Sequence, residues 1–302
     1  MKLTNRNNLP APIVEAVKNS TYNKGHADIS VSELWSPPQI KHLTRTHNDD
    51  LEVDVVDQIW TLLGDCVHVI LERAAINLPD RITEERFFVE HEGKIIGGKP
   101  DTLALSESVL QDWKVTSTWT ILRDSRKEEW INQLNTYAWM LRRLPEPIEV
   151  KRLQIVAILR DWSKLEAKRN PAYPIDQEVT IDIPLLPDEE MTRKISERLH
   201  LHFDWVDNPP PCTPEDTWEK PPIFAVMKPG QQRALRLCDT REEAEAWISM
   251  KGKPREQLYV EDRPTKRIRC ESYCAAARFC PQYAAFLSSS PQPPKASTDG
   301  ML

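Results

Sequence analysis

Three groups in one short stretch have the types and spacing to act together: Asp101, Asp112 and Lys114, within GGKPDTLALSESVLQDWKVTS, Gly97 to Ser117. The stretch reads as two strands, Ile95 to Leu105 and Val109 to Val115, joined by Ser106, Glu107 and Ser108. A symmetric turn sets Leu105 across from Ser108, and the same register sets Asp101 directly opposite Asp112. Directly opposed side chains have Cβ atoms about 4.5–5.5 Å apart, where like charges repel. Something positive must stand between them. Lys114 points to the same face as Asp112 and is one source; a divalent cation held by oxygen ligands is the other. A one-residue slip of the turn, without a compensating bulge, would send the two carboxylates to opposite faces.

Other elements must hold this hairpin in place. Apolar residues at helical spacing (Leu51, Val55, Ile59, Leu62, Leu63, Cys66, Ile70, Ala74) predict one long helix from Asp50 to Asn77. Asp65, His68 and Glu72 share a face of it, where a histidine is ordinarily packed or solvated. Asp124 to Leu144 reads as a second helix with Trp130, Leu134, Ala138 and Leu141 on its apolar side. Gln133 and Tyr137, four apart, are neighbours on its surface; by themselves they fit a tyrosine at the core edge beside an exposed amide. Further strands are expected over Glu84 to His91, Lys151 to Asp161 and Glu178 to Leu186, with a closing helix over Pro187 to Asp207. Residues 1–28 read as a loosely attached polar arm. Ile29 to Thr46 shows a helix entry near Ser30 or Ser32 and a Pro-Pro break.

Composition limits the function classes. The 302 residues suffice for a full core plus an appendage, and 40% hydrophobic with 28% charged residues is ordinary for a soluble chain. No apolar run approaches membrane length and MKLTNRNNLPAP lacks a signal-peptide core, so the expectation is a cytoplasmic protein with no membrane partner. The net charge of -6 gives no global basic footprint for nucleic acid. Local clusters exist, however: Lys151 and Arg152; Arg160, Lys164, Lys168 and Arg169; Lys266, Arg267 and Arg269. Each also fits a solvated face.

The C-terminal third reads as a small α+β module bearing cysteines. Asn208-Pro-Pro-Pro-Cys212-Thr-Pro marks its start; a hairpin over Phe224 to Leu237, a helix over Thr240 to Met250 followed by Gly252, and a strand over Gln257 to Asp262 come next. Cys270, Cys274 and Cys280 then crowd one segment, and three thiols need a fourth ligand to close a metal or cluster site. Cys66 fits the apolar stripe of the first helix and Cys238 fits the end of the hairpin. Cys212, in a Pro-flanked turn at the start of the module, is therefore the choice. Four thiolates would satisfy zinc equally well, which makes zinc the alternative. Residues 285–302 read as a disordered tail.

Pro100-Asp101 followed by Asp112-Trp113-Lys114 resembles the signature of the PD-(D/E)XK nucleases. The stretch Gly64-Asp-Cys-Val-His68-Val-Ile-Leu-Glu72 resembles the first motif of RecB-type nucleases, and Gln133 with Tyr137 resembles the Gln-x-x-x-Tyr motif of RecB-like exonucleases. The resemblance covers Asp50 to about Asp161. It implies an α/β, restriction-endonuclease-like core over residues 29–207, a mixed central sheet flanked by helices, with the cysteine module over residues 208–284. It implies one or two Mg²⁺ or Mn²⁺ ions held by His68, Asp101, Asp112 and the backbone carbonyl of Trp113, with Glu72 a weaker ligand. Lys114 would orient or deprotonate water, and Gln133 and Tyr137 would position DNA. The cysteines are similar to those of iron–sulfur nucleases of this group, such as the AddB subunit and CRISPR-associated exonucleases. That likeness implies a [4Fe–4S] cluster on Cys212, Cys270, Cys274 and Cys280. In those proteins the distant cysteine precedes the first motif, whereas here Ser36-Pro37-Pro38 has none. The activity implied is a metal-dependent deoxyribonuclease, an exonuclease rather than an endonuclease, in DNA recombination, repair or phage DNA processing. A recombination partner protein or a second copy of the chain would accompany such a role. The competing reading is a non-catalytic DNA-binding subunit of a recombination complex; it predicts loss of an acid or the lysine, and all three are retained.

Overall fold

Two separate sheets share the strands of the expected hairpin. The computed structural model describes residues 2–20, 23–124, 126–205, 208–251 and 257–289. These fall into two compact units, residues 1–41 with 52–210, and residues 42–51 with 211–302.

The first unit opens with β1 (Lys2–Thr4) and α1 (Ala11–Asn19), where a loose arm was expected. Next come β2 (Ile29–Ser30) and α2 (Val31–Leu34), entered through a capping box between Ser30 and Glu33. The Pro37-Pro38 step breaks the chain, and α3 (Pro38–Thr46) restarts it. The predicted long helix is cut short: β3 (Glu52–Asp54) pairs in parallel with β1, a 3-10 turn follows, and α4 spans Ile59–Ala75. Asp54 is the cause. Its carboxylate accepts from Thr4 Oγ1 (2.7 Å), from the Arg6 N–H (2.9 Å) and from the Val56 N–H (3.0 Å), which holds the chain extended before the turn.

Beyond α4 come β4 (Arg81–Thr83), β5 (Phe87–His91), β6 (Lys94–Gly98), β7 (Thr102–Ala104) and β8 (Val109–Thr116). The strand expected from Ile95 to Leu105 is thus two strands in two sheets. β6 lies between β2 and β5, while β7 joins a five-stranded sheet, and Lys99-Pro100-Asp101 crosses between them. Pro100 has no N–H to give a ladder, so the chain leaves the first sheet there.

After β8 follow α5 (Thr118–Leu122), α6 (Lys127–Leu141), β9 (Arg152–Leu159), α7 (Lys164–Arg169), β10 (Glu178–Ile183) and α8 (Asp188–Phe203). The five-stranded sheet has the order β10, β9, β8, β7, β4; only β8 and β9 are parallel. A parallel pair needs a long crossover, and α5 with α6 supply it. The result is a mixed central sheet flanked by helices. Leu153, Ile155, Ala157 and Leu159 alternate into the core and meet Trp130, Leu134, Ala138 and Leu141 of α6. Each leucine or isoleucine among them, fully buried, is worth about 1.5–3 kcal/mol. Trp139 is also enclosed, and its indole N–H finds Thr192 Oγ1 at 2.9 Å.

The second unit contains β11 (Glu219–Lys220), β12 (Ile223–Met227), β13 (Arg236–Cys238), α9 (Arg241–Met250), β14 (Tyr259–Arg263), β15 (Lys266–Arg267), α10 (Ile268–Ser272) and α11 (Pro281–Ser289). β12 sits between β13 and β14, and α9 covers them through Val226, Cys238, Ala244, Ile248 and Leu258. Residues 42–51, which the sequence placed in the first unit, belong here. Leu43 and Leu51 bury against Ala276, and the His47 ring stacks on Phe279 at 4.1 Å. Helix α11 runs to Ser289, through the first five residues of the expected tail; the rest of that tail, like Gly252 and Asp207, lies outside the described residues. Among the described residues no helix is long and apolar enough to cross a membrane.

Candidate functional site

β7 and β8 pair Thr102 with Gln111, Leu103 with Leu110 and Ala104 with Val109. One step further sets Asp101 against Asp112, the register a symmetric turn requires. Ser108 closes that turn at φ 50°, its N–H donating to Leu105 O at 3.2 Å. Asp101 and Asp112 are 7% and 1% exposed. Asp101 Oδ2 accepts the Trp113 N–H at 2.6 Å, so the backbone of one strand fixes the carboxylate of the other.

Helix α4 brings His68 to this pair. Its Nδ1 lies 3.4 Å from Asp101 Oδ1 and 3.4 Å from Glu84 Oε1. Glu84 follows β4 with φ 53°, and its N–H donates to the Asp101 carbonyl at 3.1 Å. Lys99 closes an ion pair on Glu84 Oε2. Burial alone would lower the His68 pKa, but hydrogen bonds to Asp101 and Glu84 outweigh it and raise it to about 10. Burial would likewise raise Glu84, yet His68 and Lys99 hold it below the usual carboxylate range. One ligand atom each from His68, Glu84 and Asp101 all lie within 4.8 Å of one another, and among the described residues this is the single group of three or more such atoms. An imidazole with two carboxylates suits a divalent cation such as Mn²⁺ or Mg²⁺.

Asp112 stands beside that group rather than in it. Its Oδ1 accepts from Gln133 Nε2 at 3.2 Å, and Lys114 makes an ion pair with Oδ2. Burial and the neighbouring Asp101 push Asp112 up to about 6 against the pull of Lys114. Burial would lower the Lys114 pKa, but Asp112 and Asp101 raise it, so the ammonium stays charged. Gln133 Nε2 also reaches Tyr137 Oη at 3.3 Å. The tyrosine is buried against Gly98, whose missing Cβ makes the room: a methyl there would stand 3.0 Å from the ring and 2.9 Å from Met140 Sδ.

The structure therefore brings together His68, Asp101, Asp112, Lys114, Gln133 and Tyr137, and the Trp113 backbone N–H donates to Asp101. Glu72 is not in the group, and Asp65 is taken up by the Ser20 hydroxyl. Glu84 and Lys99 were not foreseen. Lys99 adjoins the Pro-Asp pair, but nothing in the spacing of Glu84 marks it, because its place depends on where β4 ends against β7.

In the second unit, Cys212 is pinned by Gln282, which accepts its N–H at 2.9 Å and donates to its carbonyl at 2.8 Å. Burial, Asp216, Cys280 and Cys270 push its thiol up to about 12. Burial raises Cys270 and Cys274 too, and Cys280 adds to both. No three cysteines among the described residues form a group within 4.8 Å, and none of the six is in a disulfide. Cys238 is buried in the small core, whereas Cys66 is exposed on α4, so it does not pack in the stripe expected of it.

No family model and no curated protein matches this chain. Among solved structures, SSO0001 is 17% identical with a TM-score of 0.40, over 63% of this chain and 84% of that one. A phage related exonuclease from Haemophilus somnus 129PT is 19% identical with a TM-score of 0.30, over 46% of this chain and 67% of that one. At those values neither likeness bears on what this chain does.

Proposed function

We propose that the chain is a divalent-metal-dependent nuclease that hydrolyses DNA phosphodiester bonds, built on a restriction-endonuclease-like core with a PD-(D/E)XK site. The observation that carries this reading is the meeting of His68, Glu84 and Asp101 within 4.8 Å, beside buried Asp112 and its ion-paired Lys114. His68, Glu84 and Asp101 would hold Mg²⁺ or Mn²⁺, with Asp112 adjoining. The bound ion would supply Lewis acidity toward the phosphate and lower the pKa of water. Lys114, kept charged by two carboxylates, orients the attacking water and offsets phosphate charge. Gln133 fixes Asp112 and, with Tyr137, lines the approach of the strand. An exonuclease serving recombination, repair or phage DNA processing is the form this proposal takes.

The test is cleavage of linear and closed circular DNA with and without Mg²⁺ or Mn²⁺. Asp112→Ala and Lys114→Ala should each lower the rate by about 10²–10³-fold or more while the circular dichroism spectrum stays unchanged. Wild-type rates in either variant would refute the site, and cutting of closed circles would refute exonuclease action.

For the second unit the proposal is a structural [4Fe–4S] cluster on Cys212, Cys270, Cys274 and Cys280, with zinc as the alternative. What supports it is the crowding of Cys270, Cys274 and Cys280 in one short segment and the pinning of Cys212 by Gln282. Protein prepared without oxygen should be brown and contain iron and sulfide. Cys212→Ser should lose both and Cys66→Ser should keep them; zinc in place of iron would decide for the alternative.

A further inference from the structure

Two tryptophans at one end of β8 lie open to solvent. Trp60, in the first turn of α4, is 58% exposed and Trp119, in α5, is 60% exposed. An arginine covers each ring. The Arg160 guanidinium carbon sits 4.4 Å from the Trp60 centroid, and that of Arg123 sits 4.9 Å from Trp119.

The two pairs are tied to the same spot. The Arg160 N–H donates to Thr116 O at 3.0 Å, at the end of β8. The next residue, Asp161, accepts from the Thr118 N–H (2.6 Å) and hydroxyl (2.9 Å), directly before Trp119. Tyr173 Oη reinforces the junction, accepting the Ser163 N–H at 3.0 Å. Thr116 lies two residues beyond Lys114, roughly 7 Å along the strand. Beyond the junction, α7 exposes Lys164, Lys168 and Arg169, none of them ion-paired among the described residues.

A guanidinium on one face of an indole fixes the ring and leaves the other face open, and it adds positive charge where a phosphate would pass. An apolar protein partner seated here would have to desolvate Arg123, Arg160 and the α7 cations, which is costly. A polyanion neutralises them and gains by releasing counterions. We infer that Trp60 and Trp119 are stacking platforms for unpaired bases, so that the strand fed to the Asp112–Lys114 site is single-stranded. The inference rests on the reading of that site as a phosphodiester hydrolase. It goes further in naming the form of the substrate and two positioning residues. Bases in an intact duplex have their faces covered by neighbours and cannot use such platforms.

The test titrates the full-length protein, in EDTA to prevent cleavage, with labelled oligothymidylate and with a duplex of equal length, following fluorescence anisotropy. Wild type should favour the single strand. Trp60→Ala and Trp119→Ala should each weaken single-strand binding about five- to a hundredfold, with duplex binding changed less than twofold. Trp60→Phe and Trp119→Phe should restore most of the loss, since a flat ring remains. A 2-aminopurine base in the oligonucleotide should lose fluorescence on wild type and regain it on the alanine variants. Unchanged single-strand affinity, equal losses on both forms, or a wild type that binds neither would overturn the inference. So would alanine variants that lose only self-association, which would give the surface to a second copy. Tryptophan-dependent binding without Mg²⁺-dependent cleavage would refute the hydrolase reading and leave the platforms standing. Cleavage indifferent to both tryptophans would do the reverse.

Discussion

Glu84 stands between two basic groups, His68 Nδ1 at 3.4 Å and the Lys99 ammonium, with its carboxylate buried and its pKa held low by both. Glu84→Gln removes the charge but keeps the shape. We expect Mn²⁺ affinity to fall tenfold or more by calorimetry, and stability to fall by about 1–2 kcal/mol, less than for a fully buried pair because Lys99 is partly solvated. Full retention of Mn²⁺ binding would take Glu84 out of the ligand set. At this scale the sequence spoke clearly wherever spacing alone decides proximity. Asp101 meets Asp112 through register arithmetic, Asp112 meets Lys114 by alternation, and Gln133 meets Tyr137 through a helical turn. Glu84 was silent because its partner comes from a different strand, through a junction that no local pattern encodes.

Two glycines separate packing from propensity among the elements. Gly98 of β6 faces Tyr137 and Met140 so closely that Gly98→Ala must displace the ring holding Gln133. A loss of about 1–3 kcal/mol in urea unfolding is expected, with a slower cleavage rate. Gly64 of α4 has nothing within 4 Å of where a Cβ would stand, so Gly64→Ala should stabilise the chain by up to about 1 kcal/mol. A destabilised Gly64→Ala would show that this glycine serves close approach. The body of α4, α6 and α8 and the strands β5, β8, β9 and β10 were legible from periodicity. The start of α4 and the break after β6 were not: Asp54 gathers bonds from residues far away in sequence, and Pro100 hands the chain to another sheet.

Across the first unit, α8 grips α2 through one backbone carbonyl: Leu34 O receives Arg198 Nε at 2.8 Å and lies 3.0 Å from His202 Nε2. Burial and then Arg198 depress His202 to about 4, below its ordinary 6.5. The unfolded chain therefore takes up this proton first as pH falls. Stability from this residue is complete above about pH 6.5 and is lost on descending toward pH 4, by roughly 2 kcal/mol. Urea unfolding at pH 7.5 and pH 5 should show the drop, and His202→Gln, which does not titrate, should flatten it. An equal drop in that variant would assign the pH dependence to other groups.

The second unit is discontinuous: Leu43 and Leu51 bury against Ala276, so residues 42–51 complete a core whose remainder begins at residue 211. During synthesis this short segment leaves the ribosome long before its partners exist. At about 5–20 residues per second, the intervening residues 52–210 take on the order of 10–30 s to appear. Throughout that interval two leucines of the small core wait uncovered while the larger unit is free to fold around its own. A chain ended at residue 210 would never leave that state, and it should pellet on expression where the full chain stays in solution.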